Sequence, residues 1–164
     1  MSTSLIATYL YGMISYIMTR RRFNVEGVWA EYIPGSIGHQ YSLGRIYHDK
    51  RRKIYAFDGT NYRNDGKKYC HWETVTSYVD VDRQKYFYTF NAQIEGELDK
   101  VYYGFGVVNL MPNNAGVLVP SDAHYISASV DGKAMSHSMI RAIDMSYSRT
   151  STGADVITLV NANQ

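Results

Sequence analysis

Apolar and aromatic residues alternate with polar ones over most of the chain after Asn24. A period of two along the sequence is typical of strands that bury one face. This alternation predicts eight strands, at Val25–Ile33, Gln40–Asp49, Lys53–Asp58, Tyr69–Val79, Lys85–Gln93, Val101–Leu110, one strand within Ala115–Val130, and Val156–Val160.

Turn-forming residues separate these strands, since glycine, proline, asparagine and aspartate favour tight turns. Strands that follow one another through short turns make an up-and-down antiparallel sheet, and only closure removes its exposed edges. We therefore predict an all-β fold, a small antiparallel eight-stranded up-and-down β-barrel preceded by an N-terminal membrane helix. The predicted turns are Pro34-Gly35, Asp58-Gly59, Asp65-Gly66, Glu95-Gly96 and Asn113-Asn114.

The region Lys133–Met145 fits two kinds of element. Met135, Met139 and Ile143 have helical spacing, whereas Met139, Arg141 and Ile143 also alternate as in a strand. We favour the helix here.

The N-terminal segment, from Met1 to Thr19, has no charged residue and runs into Arg20–Arg22. Basic residues after an apolar stretch favour a cytoplasmic position for that end, whereas a secretory signal carries its charge before the stretch. The small residues at 4, 8, 12, 15 and 19 share one stripe of the predicted helix, as in packed membrane helices. Yet Leu5–Met18 is shorter than a free-standing span, and a soluble helix packed on the barrel is the alternative.

Two units follow, a hydrophobic helix with a basic flank (1–22) and a β-barrel ligand-sensing domain (23–164). If the strands run up and down, Lys50–Lys53 returns to the end that carries Arg20–Arg22 and faces an anionic leaflet. The alternative is that these cations only keep a hairpin turn solvated. The opposite end is predicted to be acidic, with Asp58, Asp65, Glu95, Glu97 and Asp99.

Composition narrows the class. A chain of 164 residues holds one sizeable core, and its single cysteine, Cys70, permits no internal disulfide and fits a reducing compartment. A net charge of +2 does not indicate DNA or RNA as the main partner. Tyrosine outnumbers phenylalanine 16 to 5, which predicts an amphipathic barrel interior rather than one suited to fatty acids.

Catalytic motifs are weak. The five histidines lack metal-ligand spacing, and no phosphate-binding glycine loop is present. The segment from Ser121 to His124 is interpreted as a polar turn that enters a strand. We therefore expect a sensor that is not an enzyme, with no metal and no cofactor.

A membrane segment that ends in basic residues is followed by Phe23-Asn24-Val25-Glu26-Gly27-Val28-Trp29 and a tyrosine-rich antiparallel barrel. In this organisation the chain resembles the transmembrane β-barrel effectors associated with CD-NTases in bacterial CBASS anti-phage defence. The resemblance implies that the barrel binds a cyclic dinucleotide, that the protein forms a homo-oligomer, and that its helices disrupt the inner membrane while the barrel stays in the cytoplasm. The sequence departs from the family in showing one short membrane segment where the family carries two helices.

For the ligand, alternation along the strands indicates candidate residues. An inward Arg45 flanked by aromatic rings would suit a phosphate and a stacked base, and Arg141 is a second candidate for phosphate. The alternative for Arg45 is an outward position in solvent. Gly104 and Gly106 share one face and mark space for a ligand or a neighbouring backbone. The aromatic candidates for stacking or hydrogen bonding are Tyr47, Tyr55, Trp72, Tyr88, Tyr103 and Tyr125.

Two rival functions remain. The Gly27-Val28-Trp29 opening also occurs in lipocalin-like barrels, so the chain could be a calycin-type carrier of a small apolar or lipid ligand. A scaffolding barrel that assembles at a membrane without ligand is the other. The tyrosine-rich interior and the lone cysteine count against the carrier.

Overall fold

The computed structural model describes residues 2–20, 22–34, 40–97, 101–127, 134–141 and 152–163. Antiparallel strands curl around a common core and confirm the all-β class. The elements are α1 (Ser2–Arg20), β1 (Gly27–Tyr32), β2 (Tyr41–Asp49), β3 (Ile54–Tyr62), β4 (Lys68–Asp80), β5 (Lys85–Ile94), β6 (Tyr102–Pro112), β7 (Leu118–Ser127), β8 (Ala134–Arg141) and α2 (Gly153–Asn161).

The strands follow one another around the sheet in chain order. The backbone of β8 pairs with both β7 and β1, so the strand order is that of a closed barrel. The connections 50–53, 81–84 and 113–117 lie at the end where the chain enters from α1, here called the near end. The connection 63–67 and residues 95–97 lie at the opposite end, here called the far end.

The near end is closed by residues that precede β1. Phe23 and Val25 are fully buried, and the Phe23 ring packs edge-on against Tyr55 at 5.3 Å between centroids. The Asn24 amide donates to the Leu118 carbonyl at 2.8 Å, and the Trp29 indole donates to the Val25 carbonyl at 3.1 Å. Phe23 and Val25 thus belong to the barrel core.

The second helix covers the outside of the barrel. Val156 and Val160 of α2 are fully buried against Ala30, Leu43 and Tyr62 on the outer faces of β1, β2 and β3. A spacing of four places both valines on one face of a helix. The strand predicted at Val156–Val160 is therefore wrong, because its β-branched residues form the packing face of α2.

The helix favoured for Lys133–Met145 is also wrong where the structure describes it. Residues 134–141 pair as β8, with Arg141 opposite Trp29 and Ser138 opposite Tyr32. The alternation of Met139 and Arg141 in the sequence was therefore the pattern that indicated the correct element, a strand. Ala134–Ser138 pair with β7 and Ser138–Arg141 pair with β1. The helical spacing of the methionines in the sequence could not reveal this pairing.

The third strand is longer than predicted and runs through Asp58-Gly59, which is not a turn. Gly59 pairs with Gly44 on one side and Trp72 on the other. Both glycines lie under the Trp72 indole, so they leave room for a ring rather than for a reversal of the chain. The predicted turns at Asp65-Gly66 and Glu95-Gly96 are confirmed, since both glycines have positive φ.

We expect Gly59→Ala to destabilise the protein by about 2 kcal/mol, because overpacking a tight site forces backbone shifts. The added Cβ would lie 2.8 Å from the Leu43 carbonyl oxygen and 2.9 Å from the Gly44 Cα, and neither backbone atom can move alone. Urea unfolding followed by circular dichroism measures the loss. Gly12→Ala is the control, since nothing lies within 4 Å of its added Cβ; equal stabilities of the two variants would contradict the expectation.

The predicted separation of charge is found only in part. The turn 50–53 lies at the near end with the exposed Arg22, and Asp65, Glu95 and Glu97 lie at the far end. Asp58 is in the middle of β3, and Asp99 lies outside the described residues. Arg63, Lys67 and Lys68 add positive charge to the far end.

The first helix is apolar and exposed. Ile6 and Ile14 are 59% and 57% exposed, and Leu10 and Ile17 are similarly open. Among the residues that the structure describes, no helix combines the length and the apolar character required to cross a bilayer.

Candidate functional site

The middle of the barrel is filled by aromatic rings from β3, β4 and β5. Trp72 lies at its centre, with ring centroids 4.8 Å from Phe57, 6.4 Å from Tyr88 and 6.3 Å from Phe90. The Tyr86 ring stacks on Tyr88 at 5.6 Å, and its hydroxyl donates to a backbone carbonyl at 2.7 Å. Alternation along these strands brings every second residue to the inner face, so this layer is a packed core.

The glycines of β6 take part in that packing. Gly104 pairs with Phe90 and Gly106 pairs with Tyr88. A Cβ at Gly104 or Gly106 would collide with the ring of its partner. The space that these glycines were expected to mark is therefore occupied by Phe90 and Tyr88 and not left for a ligand.

A row of polar side chains lies on the inner face one layer closer to the far end. Glu31, Ser42, Asn61 and Cys70 are paired in register across β1, β2, β3 and β4. All four are buried, with exposures of 3%, 0%, 7% and 7%. The Asn61 side-chain oxygen accepts the Trp72 indole hydrogen at 2.9 Å. These four residues are called the polar row below.

The inner face is less completely covered beside the polar row than in the middle of the barrel. Ala92, Ile94 and Tyr125 are half-buried, whereas Tyr86 and Val108 farther toward the near end have no exposure. Solvent therefore reaches the inner wall at the far end. The polar row lies beside this part of the wall, since Cys70 pairs with Ile94 across β4 and β5.

A surface pocket of about 430 Å³ lies on the rim of the same end, lined by Arg63, Asp65, Lys67, Lys68 and Glu95. The turn is held by the Gly66 amide, which donates to the Arg63 carbonyl at 2.9 Å, and Gly66 has φ of +80° as this turn requires. The Arg63 guanidinium lies 5.4 Å from the Tyr69 ring centroid. We call this the rim pocket.

The rim pocket and the polar row are neighbours along the strands. Arg63 follows Asn61 by two residues, Lys68 precedes Cys70 by two, and Glu95 follows directly on β5. Three cations and two carboxylates surround the pocket, and Lys67 is paired with Asp65 at 3.1 Å. Arg63 therefore places a cation at the far end, two residues along the chain from Asn61 of the polar row.

Burial controls the ionisation of the groups near the polar row. The pKa of Tyr125 is raised above its usual value by burial first and by the negative charge of Glu31 second. The pKa of Tyr88 is raised by the same two causes in the same order. Burial also raises the pKa of Cys70 to about 12, so its thiol stays protonated and behaves as a small apolar group.

Four of the residues predicted to line the ligand site face the barrel interior. Trp72 and Tyr88 belong to the packed middle layer, and Tyr125 lies at the far end with its ring edge-on to Phe90 at 6.1 Å. Tyr55 lies at the near end against Phe23 and His48. Only Tyr125 among these four borders both the polar row and the open part of the inner wall.

Three others lie on the outer face of the sheet. Arg45 is exposed, with its guanidinium 5.5 Å from the Tyr47 ring centroid. Its side chain therefore points outward, which was the alternative to the inward position. Tyr47 donates to Asp58 at 2.7 Å, and burial followed by this hydrogen bond raises its pKa to about 12. Tyr103 is 62% exposed. The side chain of Arg141 lies outside the described residues, although its backbone pairs with Trp29.

The segment from Ser121 to His124 belongs to β7 and is not a turn. The Ser121 hydroxyl donates to Asp122 at 2.8 Å, and the His124 ring lies 3.7 Å from the same carboxylate. A catalytic triad needs the imidazole between the hydroxyl and the carboxylate. Here the carboxylate lies between the other two groups.

Sequence reasoning missed Glu31, Ser42, Asn61 and Arg63. The signal for Glu31 was available, because Val25, Trp29 and Glu31 have the same parity in the predicted strand Val25–Ile33 and the first two are core residues. Ser42 was hidden because its neighbours Tyr41 and Leu43 have the alternation that is typical of a buried face.

No family model, curated protein or solved structure matches the chain. A function for the protein therefore has to be inferred from the geometry of the far end and the residues that form it.

Proposed function

We propose that this chain is a membrane-anchored effector of bacterial anti-phage defence, whose eight-stranded barrel binds a cyclic dinucleotide at its far end. The observation that carries the proposal is the juxtaposition of the buried polar row with the cationic rim pocket. A nucleotide presents an anionic phosphate beside a flat, polar-edged base. The rim pocket suits the first group, and the polar row with its aromatic floor suits the second.

The packed middle layer favours this ligand over an acyl chain. A fatty acid would have to lie along the barrel axis, where Phe57, Trp72 and Tyr88 already contact one another. A nucleotide at the far end needs only the half-buried wall around Tyr125. The calycin carrier is therefore the less suitable function for this interior.

The N-terminal segment has the role of the anchor in this proposal. Helix α1 has an exposed apolar surface at Ile6, Ile14 and Ile17, and Arg22 with Lys50–Lys53 would face the anionic leaflet of the inner membrane. The barrel would then lie in the cytoplasm. Ligand binding would favour a homo-oligomer only to the extent that the oligomer binds the ligand more tightly than the monomer does, and clustered helices would disrupt the membrane.

We expect a cyclic dinucleotide to raise the Tm of the full chain in mild detergent by several degrees at a hundred times its Kd, because a ligand that binds only the native state stabilises it. A thermal-shift screen against cyclic dinucleotides, linear dinucleotides and fatty acids measures this. Stabilisation by fatty acids alone would support the carrier and overturn the proposal. Equal stabilisation by linear and cyclic dinucleotides would restrict the proposal to general nucleotide binding.

A further inference from the structure

The outer face of β4, β5, β6 and β7 carries a continuous apolar surface. Tyr78 pairs with Phe87 across β4 and β5, and Phe87 pairs with Val107 across β5 and β6. Phe105 pairs with Ile126 across β6 and β7, and the Phe87 and Phe105 rings stack with centroids 6.2 Å apart. The residues of this surface, called the outer patch below, are Tyr78, Phe87, Tyr103, Phe105, Val107 and Ile126.

The outer patch is open in the part of the chain that the structure describes. Tyr78 is 64% exposed and Phe105 is 43% exposed. On the other side of the barrel, the apolar outer residues Ala30 and Leu43 are buried because α2 covers them. The patch spans β4 to β7, and with strands ~4.8 Å apart it covers on the order of 400 Å². An exposed apolar patch of this size is typical of a surface that binds a partner.

The charges around the outer patch favour a second copy of this chain as that partner. The patch itself contains no charged residue, which disfavours nucleic acid and anionic lipid headgroups, since both are bound through cations. Asp80 and Lys85 border it toward the near end, and Glu73 borders it toward the far end. An apolar centre with a polar rim is the usual composition of a protein interface. Two identical uncharged faces can meet without a like-charge contact at their centre.

The size and position of the outer patch suit a contact between two anchored copies. Two patches with their rims would bury roughly 1,200 Å² in total, which is the lower limit of stable interfaces and is typical of contacts that form and dissociate. Attachment to one membrane raises the effective concentration of the copies for each other. Because the patch lies on the side of the barrel, a two-fold axis along the strands leaves both near ends pointing the same way. Both α1 helices can then reach one membrane.

We propose that the outer patch is the surface through which two copies of this chain associate side by side. The inference rests on the proposed function for the anchor and the homo-oligomer, and it adds the surface. None of the patch residues lines the rim pocket, so we expect the contact without any nucleotide. Thr89 lies in the middle of the patch, in register with Thr76 and Phe105. Since packed sheets lie about 10 Å apart, Thr89 would come within about 12 Å of its equivalent in the second copy.

The test is cross-linking of the full chain in vesicles of phosphatidylethanolamine and phosphatidylglycerol, with a short bismaleimide and no nucleotide. Thr89→Cys provides the reporter thiol, because the native Cys70 is buried. We expect it to give about fivefold more cross-linked dimer than Arg45→Cys, whose thiol would lie on β2 away from the patch. Tyr78→Glu in the reporter chain should lower the yield about fivefold. Met111→Glu is the matched control, since Met111 is an exposed apolar residue of β6 outside the patch, and it should keep the yield.

The outcomes separate the two proposals. Equal yields from Thr89→Cys and Arg45→Cys, or an unchanged yield with Tyr78→Glu, would overturn the interface, and the thermal-shift screen would still decide the receptor function. Protection of the reporter thiol from a monofunctional maleimide at high dilution in detergent, where the copies are separate, would place another segment of the same chain on the patch and also overturn the interface. Cross-linking through the patch in a chain that binds no cyclic dinucleotide would overturn the receptor function alone. Circular dichroism establishes that Tyr78→Glu is folded, and if it is not, the comparison of the two reporter positions decides.

Discussion

Trp72→Ala should cost about 4 kcal/mol of folding free energy, the usual range for removing a buried tryptophan. Trp72 is 7% exposed and contacts Phe57, Tyr88 and Phe90. Its neighbours Gly44 and Gly59 have no side chains that could move into the space. The resulting cavity would stay open, and Asn61 would lose the indole hydrogen that it accepts at 2.9 Å. Urea unfolding of the full chain, followed by far-ultraviolet circular dichroism, measures the loss.

Tyr103→Ala is the matched control for that experiment. Tyr103 was also predicted to line the ligand site, yet it lies on the outer face with 62% of its surface exposed. Its removal should change stability by less than about 0.5 kcal/mol, as is usual for surface positions. If Trp72→Ala lost no more than Tyr103→Ala, the middle layer would be loosely filled, and a ligand along the barrel axis would again have to be considered.

The strand pattern was readable from the sequence because it is local. Alternation and turn chemistry predicted β1 to β7 and their order, since each strand shows its own period and each turn its own residues. The strand prediction failed where local features of the sequence fit both a strand and a helix. Val156 and Val160 favour a strand by propensity, and only their contact with the outer face of β1 and β2 decides for α2.

The same helix explains why the faces of β2 were hard to assign. Leu43 is 1% exposed although it lies outside the barrel, because α2 covers it. The apolar character of Tyr41 and Leu43 made that face look like the inner one. The true inner face carries Ser42, Gly44 and Ile46, and its small residues make room for a ring that comes from β4. The periodicity of β2 alone does not show that a ring from β4 fills this space.

The ligand-site candidates divide between the two faces for the same reason. Aromatic residues occur on both faces, so tyrosine content alone could not separate Tyr103 from Tyr125. A polar residue at a core position was the better indicator of the candidate site. Glu31 is such a residue, because Trp29 identifies the inner face of its strand. Arg63 lies in a turn that the sequence predicted, but its nearness to the polar row depends on the register of three strands.

Arg63→Glu should weaken binding of a cyclic dinucleotide by about 100-fold at low salt, because it removes a charge-assisted contact to phosphate and adds repulsion. The effect should shrink as salt is raised, since the rim pocket is exposed and its charges are screened. Titration of the full chain at two ionic strengths, with the ligand found in the thermal-shift screen, measures both. Unfolding curves should be close to wild type, because Arg63 is exposed.

Arg45→Glu is a closely matched control because the two arginines share the same local setting. Each is exposed and lies over a tyrosine ring, Arg63 at 5.4 Å from Tyr69 and Arg45 at 5.5 Å from Tyr47. The same reversal therefore makes similar changes to net charge and stacking at both sites. They differ in place, since Arg45 is on the outer face of β2, whereas Arg63 borders the rim pocket. Loss of binding in Arg45→Glu alone would move the ligand to the outer face of β2 and β3, and equal losses would mean that only net charge attracts it.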